Sequence, residues 1–489
     1  MIFVILHAGI GLGPDEAQYW TWSQLPDWGY YSKPPGIAWE IWLGTHLFGN
    51  TELGVRALPL VIGFALPLAI FFLARRCALA PVVCFWAAVA LAASPMGIMA
   101  SFLAITDGGM VLCWALACAF LAGSIQQDTP PNFLLLGLLV FLGALFKWPM
   151  FTFWLLIPLQ FVWMRWKLDV WRLFAGIGVS LLALLPTLYW NNSHDWATFR
   201  HVLATLTGGH APSQAHAITA GNPLEFLGAQ VALLSPILFI LLLLGWWRVW
   251  RAGRTAPNGV IFCAVVSLAI FSVGLSVSLF MKIQGNWIIF AYPTAFVVLA
   301  WASSRRWLIA GVIVSIVLVT VVLSIPSVQT RGMFASTPIP YKVNPFRHNV
   351  GWQQIDPLLK AAGYEADHDF LFGDKYQTAS VLSFYSPEQK RAYFFNLGGA
   401  RKNQFSYWPG MDVEQQGKRG FFLVIENSPQ LDNQTLPTKY LEQLQPYFNE
   451  VKYLGMKPLF HAYGKTVKGA LLFECSGYHG LVPIDPELY

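Results

Sequence analysis

Long apolar runs separated by short polar breaks recur up to residue 325, and they constrain the fold more than any other feature. The runs fall at 55–74, 78–99, 103–123, 132–147, 148–164, 173–190, 226–247, 259–281, 286–303 and 307–325. A transmembrane helix needs about twenty apolar residues. With a shorter run before residue 13, these runs predict a mainly α, polytopic transmembrane helical bundle of about eleven spans.

Composition supports a membrane protein and excludes several other classes. The chain is 56% hydrophobic and 11% charged, whereas soluble domains are about 25% charged. The net charge of +6 comes mostly from basic residues between apolar runs, so we expect no nucleic-acid binding. Cys475 is alone in the polar C-terminal region, which excludes a disulfide within that region, and no Cys and His spacing typical of a metal site appears.

The apolar run at residues 1–12 is too short to span a bilayer and lacks the features of a signal peptide. We therefore expect the first span to lack its first part.

Basic residues collect in the breaks on one side of the predicted bundle. Under the positive-inside rule this side is cytoplasmic. The basic breaks are Arg75-Arg76, Arg165 to Arg172, Arg248 to Arg254 and Arg305-Arg306. The loop 13–54 and everything after Ser324 then lie on the outer side, which predicts a multi-pass protein of the bacterial inner membrane with a periplasmic site.

Two polar regions flank the spans. The loop 13–54 reads as two short helices, near 15–25 and 34–48, with tryptophans suited to the membrane interface. Residues 326–489 contain no run that could span, and short β-type runs at 369–373 and 420–425 alternate with helix-like segments. We predict a transmembrane domain at 1–325 and a periplasmic α/β domain at 326–489.

Adjacent carboxylates, Asp15 and Glu16, directly follow the first apolar run. Acids this close to a span are costly unless they serve a wet cavity or a cation. The pair suits a general base or the ligands of a divalent metal, and the residues leave both open. The alternative is that Asp15 only caps the following helix.

Isolated cations near the ends of predicted spans suit an anionic, lipid-linked substrate. Lys33 follows the aromatic pair Tyr30 and Tyr31, and the prolines after it stiffen the backbone. A fixed ammonium suits a phosphate, although a lysine reaching to lipid headgroups is the alternative. Further candidates on the same side are the acid Asp107 and the basic residues Lys147, Arg200 and Lys282.

Six motifs carry a family resemblance, and they cover essentially the whole membrane part. They are Pro14-Asp-Glu-Ala-Gln-Tyr-Trp20, Tyr30-Tyr-Ser-Lys-Pro-Pro-Gly36, Phe48-Gly-Asn-Thr-Glu-Leu-Gly-Val-Arg56, Ile105-Thr-Asp-Gly108, Leu145-Phe-Lys-Trp-Pro149 and Lys282-Ile-Gln-Gly-Asn-Trp287. The set resembles the bacterial branch of the protein O-mannosyltransferase superfamily. That branch includes the lipid A aminoarabinose transferase and related polyprenyl-phosphate-sugar transferases of the GT-C fold. The segment Arg401 to Trp408 is similar to the extramembrane domain of one subgroup.

The resemblance implies an inverting transfer of one sugar from a polyprenyl-phosphate carrier to a lipid, glycan or protein acceptor. Asp15 would be the principal acid, Asp107 its partner, and Lys33 would hold the donor phosphate. In the aminoarabinose enzymes a metal-associated glutamate precedes the Lys-Pro-Pro motif, where this chain has Ser32. This departure argues against a metal site and against aminoarabinose as the donor sugar.

Two other functions remain open from the residues. One is a phosphoglycan-lipid transferase that moves a charged group instead of a neutral sugar. The other is a transporter or binding protein for polyprenyl lipids, although we find no internal repeat of the kind many transporters contain.

Overall fold

A computed structural model describes residues 9–158, 169–207, 221–428 and 430–483, without the side chains of residues 206 and 207. The basic break around Arg165 and Lys167 and the loop residue His210 lie outside the described residues. The predicted fold class is confirmed: a helical bundle is followed by a region that contains a β-sheet.

The chain begins with two short helices, α1 (Pro14–Ser23) and α2 (Gly36–Phe48). Their bounds agree with the predicted 15–25 and 34–48 to within two residues. Pro14 occupies the first helical position, where its missing N–H costs nothing. Helix α2 leaves Leu47 and Phe48 exposed, which suits a helix at the membrane interface.

In the described residues, twelve helices and several irregular stretches follow before the long helix that ends the bundle. The helices are α3 (Glu52–Arg76), α4 (Pro81–Ala93), α5 (Pro95–Phe102), α6 (Asp107–Gln127), α7 (Phe133–Ala144), α8 (Val170–Leu181), α9 (Leu184–Asn192), α10 (Ala197–Thr207), α11 (Pro223–Leu234), α12 (Pro236–Ala252), α13 (Asn258–Phe280), then α14 (Tyr292–Ala302) and α15 (Arg305–Thr330). Trp148–Leu155 and Gly285–Ala291 form 3₁₀ turns.

Among the described residues, six helical stretches are long and apolar enough to cross a membrane, or up to eight when two bent pairs count as spans. The predicted count of eleven is not confirmed. One apolar run divides at Ser94, where α4 and α5 meet at 67°. The Ser94 hydroxyl accepts a hydrogen bond from the Gly97 N–H, and Pro95 opens the new helix, so the local sequence starts a second helix inside one apolar run.

Small residues allow the closest helix contacts in the bundle. A β-carbon on Gly176 of α8 would lie 2.3 Å from the carbonyl oxygen of Phe133, and one on Gly137 of α7 would lie 2.2 Å from that of Gly176. Glycine is therefore required where the two backbones meet. Close approach of this kind replaces the hydrophobic driving force that is absent between helices in lipid.

Beyond α15 the chain forms a five-stranded mixed sheet with the order β2-β1-β3-β5-β4. Its strands are β1 (Asp369–Gly373), β2 (Tyr393–Phe394), β3 (Arg419–Asn427), β4 (Phe448–Ala462) and β5 (Lys465–Tyr478). Strand β1 is parallel to β2 and β3, whereas β5 is antiparallel to β3 and β4. The accompanying helices are α16 (Ile355–Ala361), α17 (Tyr376–Tyr385), α18 (Met411–Glu414) and α19 (Leu436–Leu444).

The sheet region packs directly on the first helix. The Tyr385 hydroxyl, at the end of α17, accepts a hydrogen bond from the Leu12 N–H at 2.6 Å and donates one to Glu52 at 2.6 Å. Trp20 of α1 meets the ring of Phe384 edge to face, with centroids 4.9 Å apart. The position of α1 therefore depends on both ends of the chain.

Candidate active site at the start of the first helix

Glu16 forms a buried ion pair with Arg56 of α3, and both side chains are almost fully enclosed, at 2% and 0% exposure. The Arg56 Nε and Nη2 atoms donate to its two carboxylate oxygens at 2.9 and 2.7 Å. The backbone N–H groups of Gly13 and Ala104 donate to the same oxygens at 2.8 and 3.0 Å. Glu16 thus accepts a backbone hydrogen bond at the start of α1 and links this helix to α3. Because both of its carboxylate oxygens are occupied, Glu16 is poorly suited to act as a base.

Asp15, the neighbouring residue, has a different environment. Its side chain is accessible. Within the described ranges it forms no hydrogen bond or ion pair. The Gly13 N–H at the start of the helix donates to Glu16 instead. Although part of the side chain reaches solvent, the surrounding protein atoms exclude much of the water around the Asp15 carboxyl and raise its pKa. The positive charge of Lys33 opposes that rise, and the charge of Glu16 adds to it. The capping alternative for Asp15 therefore loses its main support.

Lys33 is held beside Asp15 by a tight loop. The Tyr30 N–H donates to the Lys33 carbonyl at 3.3 Å, and the Gly36 N–H donates to the Leu145 carbonyl at 2.8 Å. A β-carbon at Gly36 would lie 2.6 Å from that same oxygen, so only glycine permits this approach. The contact brings Lys33 close to Lys147, which lies two residues beyond Leu145.

The charges around Lys33 are mixed. Burial lowers the pKa of its ammonium, the charges of Lys147 and Arg401 add to this, and Asp107 and Asp15 oppose it. In the part of the chain that the structure describes, the Lys33 ammonium has no hydrogen bond or ion-pair partner within 4 Å. A partly enclosed cation of this kind is suited to an anionic ligand.

Asp107 begins α6 and is buried at 3% exposure. The Lys147 ammonium donates to one of its oxygens at 2.7 Å, and the Asn286 amide donates to the other at 3.2 Å. Three motifs from different parts of the sequence therefore meet at one carboxylate. Asn286 rather than Lys282 is the residue that the Lys282–Trp287 motif contributes, because the motif's 3₁₀ turn directs Asn286 inward.

The sheet region supplies a further cation, Arg401. Its Nη1 atom lies 2.9 Å from Nδ1 of His201, and its guanidinium lies 5.8 Å from the centroid of the Tyr31 ring. Tyr376, at the start of α17, hydrogen-bonds Arg401 and also interacts electrostatically with Asp15. Neither Arg401 nor Tyr376 was predicted as a site residue.

An apolar cavity of about 710 Å³ reaches the acidic side of this cluster, at Asp15 and Glu16. Its walls come mainly from α5, α11 and α15, and Gly13, Pro14 and Asp15 lie at its polar end. Apolar residues include Ile98, Met99, Phe102, Leu233, Leu318, Val319, Val322 and Leu323. A cavity that runs from spanning helices to an acid suits a substrate with a lipid chain and a polar head.

The remaining predicted residues differ in position. Tyr30 is buried, stacks on Trp22 at 4.7 Å and donates to its carbonyl, so its contacts are those of a structural residue. Tyr31 lies against Arg401 and His201 at the site. Lys282 forms an exposed ion pair with Glu225 at 3.7 Å. Arg200 lies on the exposed face of α10, next to His201.

The residues at the site do not fit a divalent metal. Glu16 is saturated by Arg56 and two amides, Ser32 brings no carboxylate, and Asp107 is held by Lys147 and Asn286. Within the described ranges, no group of three or more His, Cys, Asp or Glu side chains could hold a metal ion.

Comparisons with known proteins show what the chain is similar to. Residues 32–190 match the family described as dolichyl-phosphate-mannose-protein mannosyltransferase. The lipid A galacturonosyltransferase RgtD of Rhizobium johnstonii is 31% identical over 305 residues. That match spans 60% of this chain and 61% of the relative.

The overall fold is similar to crystal structures of ArnT from Cupriavidus metallidurans. The apo structure gives a TM-score of 0.62 at 16% identity and covers 96% of both chains. The structure bound to undecaprenyl phosphate gives 0.64 at 17% identity and covers 96% of this chain and 95% of the other. The predicted family resemblance is confirmed. Because these matches cover 96% of this chain, the shared fold includes both the bundle and the sheet region that packs on α1.

The Glu16–Arg56 pair predicts a large stability effect. Glu16→Gln leaves the enclosed Arg56 charge without its partner, and breaking a buried pair in this way costs about 3–5 kcal/mol. Thermal unfolding of the purified protein in detergent should show a clearly lower midpoint. The exposed pair Asp356–Lys360 provides a control, because Asp356→Asn should cost at most about 1 kcal/mol. Equal midpoints for the two variants would contradict the structural role of Glu16.

Proposed function

We propose that this protein is an inner-membrane glycosyltransferase that moves a sugar from a polyprenyl-phosphate carrier to a lipid acceptor on the periplasmic side. The observation that carries the proposal is the position of the accessible Asp15 carboxylate. It lies beside the unpaired Lys33 ammonium and at the polar end of a cavity whose walls are apolar.

The proposed chemistry uses the two side chains in complementary roles. Asp15 takes the proton from the acceptor hydroxyl as its oxygen bonds to the anomeric carbon of the sugar. The bond from that carbon to the phosphate oxygen breaks, and the electron pair leaves with the lipid phosphate. Lys33 stabilises the negative charge that grows on the phosphate. Attack from the face opposite the phosphate inverts the configuration at the anomeric carbon.

The relatives support the donor and the acceptor classes. One of the similar crystal structures contains undecaprenyl phosphate, and the curated relative is named as a lipid A transferase. The galacturonosyl group in that name carries a carboxylate, a chemical class that a site with an extra cation could accept. A lipid A-type acceptor also fits a site at the membrane boundary.

Orientation can be tested with introduced cysteines, because the native cysteines among the described residues are all buried. We expect a membrane-impermeant maleimide to label Gln24→Cys and Val413→Cys from the periplasmic side of spheroplasts. Thr255→Cys, next to the basic break after α12, should react only after permeabilisation. Labelling of Gln24 and Val413 from opposite sides would contradict the shared location of the loop 13–54 and the sheet region.

Asp15→Asn should reduce transfer by about 10²–10⁴-fold, because the amide cannot accept the proton. Stability should change little, since the carboxylate oxygens that satisfy the helix start belong to Glu16. The assay follows sugar transfer to a lipid acceptor by the purified enzyme. Asp27→Asn in the same loop is the control and should retain activity.

Normal turnover by Asp15→Asn would make this carboxylate structural. If the protein were a transporter or binding protein, wild-type membranes would form no new glycosidic bond in the same assay.

Lys33→Gln should lower transfer and also change its pH dependence. A hydrogen bond to a charged group is worth about 1.5–3 kcal/mol, so donor use should fall about ten- to a hundredfold. Activity needs ionised Asp15 and is lost as the pH falls through the pKa of that carboxyl. Because Lys33 lowers this pKa, its removal should move the acid limb of kcat/KM to higher pH.

The exposed Lys360 provides the control for this profile. Lys360→Gln should leave both the rate and the acid limb unchanged. An unchanged rate and profile for Lys33→Gln would remove Lys33 from the site.

A further inference from the structure

Arg401 is the charged group of the cluster that the proposed chemistry does not use. It lies between β2 and β3, in a segment that is fixed to the first loop by the Gln404 side chain, which accepts a hydrogen bond from the Tyr31 N–H at 2.7 Å. The ring of Tyr407 lies 6.0 Å from that of Tyr31. These contacts hold the start of the segment, and with it Arg401, over the loop that carries Lys33.

The other charges of the cluster have acids nearby. Lys147 is paired with Asp107 at 2.7 Å and Glu16 with Arg56 at 2.7 Å. Lys33 forms no direct ion pair in the described residues, but the charges of Asp107 and Asp15 act on it. Arg401, by contrast, has no carboxylate within 4 Å among the described residues. Its contacts are the side chains of His201 and Tyr376 and the face of Tyr31. A guanidinium next to a second cation, without an acid, is stabilised when an anionic ligand binds.

The lipid chain, phosphate and sugar of the donor are joined in that order, so they must lie in that order along the site. The lipid chain must stay on the membrane side, in the apolar cavity between α5 and α15. The phosphate follows at Lys33, and the sugar lies beyond the phosphate, toward the extramembrane region. Arg401 comes from that region, so the sugar is the part of the donor that it is positioned to meet. Its planar fork matches a carboxylate through two parallel hydrogen bonds.

We propose that Arg401 is a specificity-determining residue that binds a carboxylate on the transferred sugar, so that the donor carries a hexuronic acid. This proposal rests on the proposed function. His201 and Tyr376 act as positioning residues, because they hold the guanidinium through one hydrogen bond each. Binding of the lipid phosphate by Arg401 is the competing assignment, and it makes a different prediction for donors that differ only in the sugar.

The test compares two polyprenyl-phosphate donors, one with a hexuronic acid and one with the corresponding neutral hexose. Wild-type enzyme should prefer the uronosyl donor. Arg401→Gln should lower kcat/KM for that donor by about ten- to a hundredfold, and should leave the neutral donor within about twofold. Arg401→Lys should restore part of the preference, because an ammonium keeps the charge but lacks the planar fork.

Arg391 offers a matched control in the same region, since it pairs with Glu414 on the surface. Arg391→Gln should affect the two donors equally and little. Equal losses with both donors in Arg401→Gln would overturn the proposal and assign Arg401 to the phosphate or to folding. The wild-type comparison does not depend on any variant being stable. Use of the neutral donor alone would overturn this proposal and leave the glycosyltransferase assignment standing, whereas transfer from no polyprenyl-phosphate donor would overturn both.

Discussion

The buried ion pair between Glu16 and Arg56 is the interaction on which the candidate site depends. Arg56 also donates to the carbonyl oxygens of Ile10 and Gly11, at 3.0 and 2.8 Å, and stacks on Phe102. One guanidinium therefore contacts the segment before α1, the start of α1 and the end of α5, and it holds them together. Because Glu16 takes the structural contacts, the adjacent Asp15 is left accessible and available for chemistry.

Local patterns predicted the elements well, because their causes are local. Apolar runs and the Pro14 start gave the short helices α1 and α2, and β-type runs gave β1 and β3. The count of spans was not confirmed, since a run such as 78–99 contains the Ser94–Pro95 break, which bends the chain without interrupting its apolar composition. The long β4–β5 hairpin was also not predicted, because β4 is only partly buried and carries many polar residues.

The site was predicted only in part, since side-chain pairing across the fold leaves little trace in one sequence. Asp15, Lys33, Asp107 and Lys147 are brought together, as their isolation near span ends indicated. Sequence could not separate Asp15 from Glu16, because their directions depend on where α1 starts, although a glutamate three residues after Gly13 is a usable sign of a helix-start acid. Arg401 and Asn286 were missed because each is joined to the cluster only through tertiary contacts.

The hydrogen bonds from Leu12 to Tyr385 and from Tyr31 to Gln404 each join residues 373 positions apart. During synthesis, the first loop emerges long before its partners exist. The loop lacks these partners while the later spans are inserted. The site is complete only when the last third of the polypeptide has been made. A ribosome that stops early therefore releases a bundle with an incomplete site. The arrangement thus makes formation of the site depend on completion of the whole chain.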